Sequence, residues 1–108
     1  MEELFLPVLS HFQNENMWTS SVGNLRYKVV PAGEELTVEV WRGPWCYEFS
    51  QVEENRKFPL TEEGLGELRA WVLERAAEIN ARPAETLEEA IARRDAAQAA
   101  RAEEKAGD

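Results

Sequence analysis

The chain has 108 residues, 44% of them hydrophobic, with 21 acidic against 12 basic side chains and a formal net charge of −9. That length allows one domain, and the single cysteine, Cys46, excludes an internal disulfide scaffold. Acidity spread along the whole sequence argues against direct nucleic-acid binding, which needs lysine and arginine to neutralise phosphates. It fits either plain solubility or a partner that carries a basic surface.

All ten aromatic residues precede Val72, so the core is expected before that point. The opening residues, MEELFLPVLSHF, carry two glutamates where a signal peptide needs basic residues, and Pro7 and His11 interrupt their apolar run. No stretch reaches the length of a membrane-spanning helix. With the lone cysteine, these features predict a cytoplasmic protein. Within residues 3–13, Leu4, Phe5, Val8, Leu9 and Phe12 follow helical spacing and predict a short amphipathic helix, a strand being the competing reading. Residues 17–22 read as irregular or edge structure leading into a sheet.

Leu25, Tyr27 and Val29 then alternate with polar neighbours, as do Leu36, Val38 and Val40 and, more briefly, Tyr47 and Phe49. Turn chemistry at Pro31-Ala32-Gly33-Glu34 and at Gly43-Pro44 separates the runs. The pattern predicts a three-stranded antiparallel meander with Tyr27 opposite Val38 and Val40 opposite Tyr47. That register gathers the eight apolar residues on one face. It sets Arg26, Glu39 and Glu48 in a row on the other, with Trp41 near Cys46. Residues 52–57 predict a loop, or a short fourth strand ending at Phe58.

Phe58-Pro59-Leu60-Thr61-Glu62-Glu63-Gly64-Leu65 is a helix start. Thr61 can cap the free amides, Glu62 and Glu63 suit the positive end of the helix dipole, and Leu60 and Leu65 can form a hydrophobic staple. Gly64 stands where a glutamate would complete a capping box. The stripe Leu65, Leu68, Val72, Ala76 and Ile79, with Trp71 on its flank, predicts a helix over about 61–81 that covers the apolar sheet face and buries Val38 and Val72 together. Thr86-Leu87-Glu88-Glu89 is a complete capping box for another helix. From residue 81 onward, ten of the fourteen alanines accompany only two large aliphatics, Leu87 and Ile91. A peripheral helix follows, exposed and fraying beyond about Ile91, whose loss would cost little. The expected organisation is one α+β domain over 1–91 and an exposed helical tail over 92–108.

Chemistry has little to work with. One histidine and one cysteine fall short of a structural zinc site, and Cys46 reads as a packing filler beside Trp41 rather than a nucleophile. His11 reads as a surface or half-buried side chain. The glutamate pairs sit in turns and helix starts, where solvation and the helix dipole account for them. Glycine-rich phosphate loops and calcium loops are absent from the sequence. No catalytic residue, metal or cofactor is expected. Trp41, Arg42 and Trp45 at a hairpin tip are residue types enriched in binding hot spots. The alternative is that one of these tryptophans packs with Trp18 beneath the N-terminal segment. Glu39 and Glu48, side by side on the outer face, complete the expected partner-binding set.

Three segments resemble a family of small uncharacterised proteins of gut bacteria and their mobile elements. They are Leu25-Arg26-Tyr27-Lys28, the run from Glu39 through Trp41-Arg42-Gly43-Pro44-Trp45-Cys46-Tyr47 to Glu48, and Phe58-Pro59-Leu60-Thr61-Glu62-Glu63-Gly64-Leu65. The resemblance covers roughly residues 17–80 and carries no catalytic or ligand residues. It implies a context in which small acidic proteins inhibit defence enzymes, anti-CRISPR proteins among them. The sequence therefore predicts a non-catalytic binding protein, an inhibitor occupying the basic site of a bacterial nucleic-acid-binding nuclease. The alternative is a regulatory or assembly subunit that uses the hairpin of residues 41–47 or the C-terminal helix as a protein contact, in a homodimer or heteromer.

Overall fold

The computed structural model describes Leu4 and residues 6–106. It is an α+β fold with four antiparallel strands, β1 (Trp18–Val22), β2 (Leu25–Ala32), β3 (Glu35–Arg42) and β4 (Glu54–Pro59), joined in the order β1-β2-β3-β4. The helices are α1 (Leu9–Gln13), α2 (Glu62–Asn80) and α3 (Leu87–Ala106). Among the described residues, no helix is long and apolar enough to cross a membrane.

The first two hairpins close through two-residue loops, Gly23-Asn24 and Gly33-Glu34, whose glycines adopt φ of 61° and 63°. Glycine enters that left-handed region without strain, and such turns match the twist of the flanking strands. They fix the register: Tyr27 faces Val40, and Val38 faces Val29. The expected pairing of Tyr27 with Val38 is thus displaced by two residues. A two-residue shift preserves side-chain parity, so Leu25, Tyr27, Val29, Leu36, Val38 and Val40 still share one face, all fully buried.

The third predicted strand does not form. Tyr47–Phe49 is instead a 3-10 turn, and the sheet is completed by β4, where Val40 faces Glu54 and Leu36 faces Phe58. Tyr47 and Phe49 consequently leave the core: Phe49 is exposed, and Tyr47 packs edge-on against Trp41 on the opposite face of the sheet. The edge structure expected at residues 17–22 is β1, paired along its length with β2.

Helix α2 covers the apolar face as predicted. Leu68, Val72, Ala76 and Ile79 are buried against the core, with Leu60, Leu65 and Trp71 partly buried around them. Each large apolar side chain so buried contributes roughly 1.5–3 kcal/mol. Thr61 accepts the Gly64 amide at 3.0 Å, closing the N-terminus. Gly64 is buried, and a Cβ there would collide with the carbonyl of Pro59, whose carbon and ring Cγ would both lie at 2.9 Å. Close approach to β4 therefore excludes the glutamate of a capping box. At the far end of α2, the Asn80 side chain accepts the Asn24 amide at 2.6 Å and donates to the Val22 carbonyl at 3.2 Å, tying the helix to the first hairpin.

The N-terminal helix is shorter than its periodicity suggests. Leu4 and Leu6, two residues apart, are both buried, whereas Val8 is 73% exposed. Pro7 biases the preceding residue towards an extended conformation, so helical geometry begins only at Leu9. The expected contributions of residues 3 and 5 fall outside the described residues.

The largest departure is α3. Its capping box forms, with Thr86 Oγ1 accepting the Glu89 amide and Glu89 accepting the Thr86 amide. The helix is not free beyond Ile91, however. Ala90 and Ala97 are buried, and Arg93, Arg94 and Arg101 engage the loop after β3. Alanine here is a spacer that permits close approach, and the arginines supply the contacts.

Candidate functional site

The segment expected to form an exposed hairpin, residues 41–47, is folded inward. Trp41 lies on the outer sheet face, opposite Arg26, and is 3% exposed. Its indole donates to the Trp45 carbonyl at 3.0 Å, and its ring meets Tyr47 edge-on at 5.5 Å. Trp45 is half-buried, donating to the Ala90 carbonyl of α3 at 2.8 Å, with the Arg94 guanidinium 5.0 Å from its ring. Arg42 donates to the Pro83 carbonyl at 2.8 Å. These three residues are brought together, but as a seam that joins sheet and α3. Trp18 belongs elsewhere: its indole donates to the Tyr27 hydroxyl on the core face, and its ring meets His11 at 6.0 Å. Among the described residues, no ring contact joins Trp18 to Trp41 or Trp45.

The backbone of this segment explains its shape. Outside a ladder, buried carbonyls need other donors. Arg93 donates to the carbonyls of Arg42 at 3.1 Å and Gly43 at 2.6 Å, and Arg101 donates to those of Tyr47 at 2.7 Å and Ser50 at 2.9 Å. Arg93 also forms a two-pronged pair with Glu85, at 2.8 and 2.9 Å. That hydrogen bond holds the Glu85 carboxyl below its usual range. It also holds the Arg93 guanidinium above its own.

Glu39 and Glu48 are not neighbours. Glu39 remains on the outer face opposite Lys28, and its carboxylate accepts the Tyr47 hydroxyl at 3.2 Å. Burial, reinforced by this carboxylate, pushes the Tyr47 hydroxyl above its ordinary value. Glu48 lies on the 3-10 turn, exposed. The row of Arg26, Glu39 and Glu48 therefore does not exist, because it depended on a strand at residues 46–50. Cys46 is exposed rather than a packing filler. His11 is half-buried, one ring nitrogen 3.1 Å from the Met17 carbonyl. Among the described residues, no hydrogen bond or ring contact joins His11 to Cys46, and no group of three potential metal ligands occurs.

Sequence reasoning missed a different grouping of acids. Glu34 and Glu35 lie at the β2–β3 turn, and the Glu34 carbonyl accepts the Leu60 amide at 2.8 Å. This bond brings them beside Glu62 and Glu63 in the first turn of α2, and Glu15 lines the same end with Gly33 and Leu60. All five carboxylates are on exposed residues, and among the described residues none is in an ion pair. Glu53, Glu54, Glu74, Glu78, Glu85 and Asp95 are each matched with an arginine. The Gly33 turn and the Thr61 cap were visible in sequence, but their adjacency requires the pairing of Glu35 with Pro59.

No protein-family model, curated protein or solved structure matches the chain.

Proposed function

We propose that this is a non-catalytic binding protein that docks a carboxylate-rich end onto a basic site of a protein partner. The observation that carries the reading is the partition of its acids. Among the described residues six are matched with arginines; of the unmatched ones, Glu15, Glu34, Glu35, Glu62 and Glu63 share one end, and Glu39, Glu48, Glu67, Glu88, Glu89 and Glu103 are spread over other elements. Unmatched carboxylates repel one another and deepen the negative potential of that surface, which speeds encounter with a cationic partner. The resemblance to small proteins of gut bacteria and mobile elements suggests the partner class, a nucleic-acid-binding defence nuclease that the acidic end would inhibit by occupying its basic site. The assembly reading draws less support, since Trp41, Trp45 and the arginines of α3 are already engaged with one another.

The test is capture of a nuclease from a bacterial host lysate at low and high salt. It compares the wild type with a variant carrying Glu34→Lys, Glu35→Lys, Glu62→Gln and Glu63→Gln, in which glutamine avoids placing cations at the α2 N-terminus. Wild type should bind, inhibit and weaken with salt, and the variant should lose both binding and inhibition. A folded variant that inhibits as well as wild type, or binding indifferent to salt, refutes the proposal.

A further inference from the structure

On the outer sheet face, away from the acidic end, a groove of about 480 Å³ opens between β1–β2 and the loop after β3. Thr19 stands opposite Lys28 and Ser21 opposite Arg26, so two hydroxyls and two cations share one patch of floor. Trp41, Pro44 and Tyr47 form the wall. The volume lies in the range of small-molecule sites, which typically combine an apolar wall with a few converging polar groups.

Both cations line the groove with donors to spare. Arg26 is held in place, one nitrogen donating to the Gly23 carbonyl at 2.8 Å and its guanidinium lying against Gly43. A guanidinium has five N–H donors, and this is its single protein hydrogen bond among the described residues. The Lys28 ammonium sits 4.1 Å from the centre of the Tyr47 ring and has no protein acceptor among the described residues. Both are half-buried, and neither forms an ion pair there. Glu39, directly across from Lys28, keeps its charge while it accepts the Tyr47 hydroxyl, but it lies outside the groove, whose one lining acid among the described residues is Glu48 on the exposed rim. The remaining acids act across solvent, where charges beyond about 8 Å are largely screened at physiological salt.

We infer that this groove is a binding site for a small organic phosphomonoester. A phosphomonoester carries close to two negative charges near pH 7 and three strong acceptor oxygens, which matches two cations flanked by two hydroxyl donors. A carboxylate would leave more of those donors unused. The apolar body of the ligand lies along Pro44 and Met17, the exposed apolar residues that line the groove. The Tyr47 ring is a fixed wall, since Lys28 and Arg101 both pack on it. The site is separate from the acidic end, so it stands or falls independently of the partner proposal.

The experiment is an amide-resolved NMR titration of the full chain at physiological salt with phenyl phosphate, inorganic phosphate and phenol. Phenyl phosphate should shift the amides of Thr19, Ser21, Arg26 and Lys28 saturably, and at least ten-fold more tightly than either fragment. Lys28→Met, which keeps the stem on Tyr47, should weaken binding ten-fold or more, and Lys57→Met, on the same face outside the groove, should leave it unchanged. Lys28→Gln provides the same comparison should the methionine variant misfold. No saturable shift, equal affinity in the Lys28 variants, or shifts spread equally to Arg56 and Lys57 would overturn the assignment.

Discussion

Two glycines in one helix should respond to the same substitution with opposite signs. Glycine inside a helix costs about 0.5–1 kcal/mol relative to alanine. At Gly66, exposed and with nothing within 4 Å of a would-be Cβ, Gly66→Ala should recover that amount and raise Tm by a few degrees. At Gly64 the same propensity gain meets the Pro59 carbonyl. Its carbon and the ring Cγ would lie 2.9 Å from the new methyl, and its oxygen would lie nearer still. The obstacle is backbone bonded into β4 and the α2 cap, so the helix start must move away from the strand. Overpacking of this kind costs about 1–3 kcal/mol, and the displacement also strains the Thr61–Gly64 cap, worth about 1 kcal/mol. The expected net loss for Gly64→Ala is about 1–3 kcal/mol. Urea denaturation of wild type and both variants, with unchanged m-values, measures the contrast. A Gly64→Ala protein as stable as Gly66→Ala would refute the close packing of α2 on β4.

Other perturbations test the remaining joints. Asn80→Ala removes both hydrogen bonds that fasten α2 to the first hairpin and should cost about 1–2 kcal/mol by thermal or chemical melting. Truncation before Arg93 should be clearly destabilising, about 2–4 kcal/mol, and should increase solvent access to Trp45 by fluorescence quenching, because four loop carbonyls lose their arginine donors. The Glu85–Arg93 pair should make α3 docking acid-labile. Because folding lowers the Glu85 pKa, its contribution is complete above the unfolded carboxyl value and fades as pH falls through the folded one. Glu85→Gln should therefore cost about 1 kcal/mol at pH 7, and its difference from wild type should vanish on acidification in parallel denaturant melts.

What was legible follows from what each element buries. Strands β2 and β3 announce themselves because one face is apolar and the period is two, and α2 does so because its stripe meets that face. Strand β4 bears out the short fourth strand that is the alternative to a loop at residues 52–57; it reads only as an alternative because two of its core-side positions are Glu54 and Arg56, satisfied by Arg75 and by the face of Phe58. An edge strand can replace apolar burial with ion pairs, which erases the alternation. Tyr47 and Phe49 imitated a strand for the converse reason: two aromatics spaced by two also fit a loop whose carbonyls are met by side chains. Helix α3 looks idle by apolar size, while its contacts are arginine to carbonyl. The acidic end and the cation-bearing groove depend on strand adjacency, which no local pattern carries.

The order of strands across the sheet repeats their order along the chain, and this has a consequence for assembly. Each strand meets its neighbour through a turn or one loop, so closing the meander costs little chain entropy. The bonds that fasten α3 instead join residues 45 to 54 positions apart, and they need the loop after β3 to be in place before there is anything to grip. On a growing polypeptide the sheet and α2 can form while α3 is still being made. The last helix then acts as a latch on a body already built, and its loss should speed unfolding more than it slows folding.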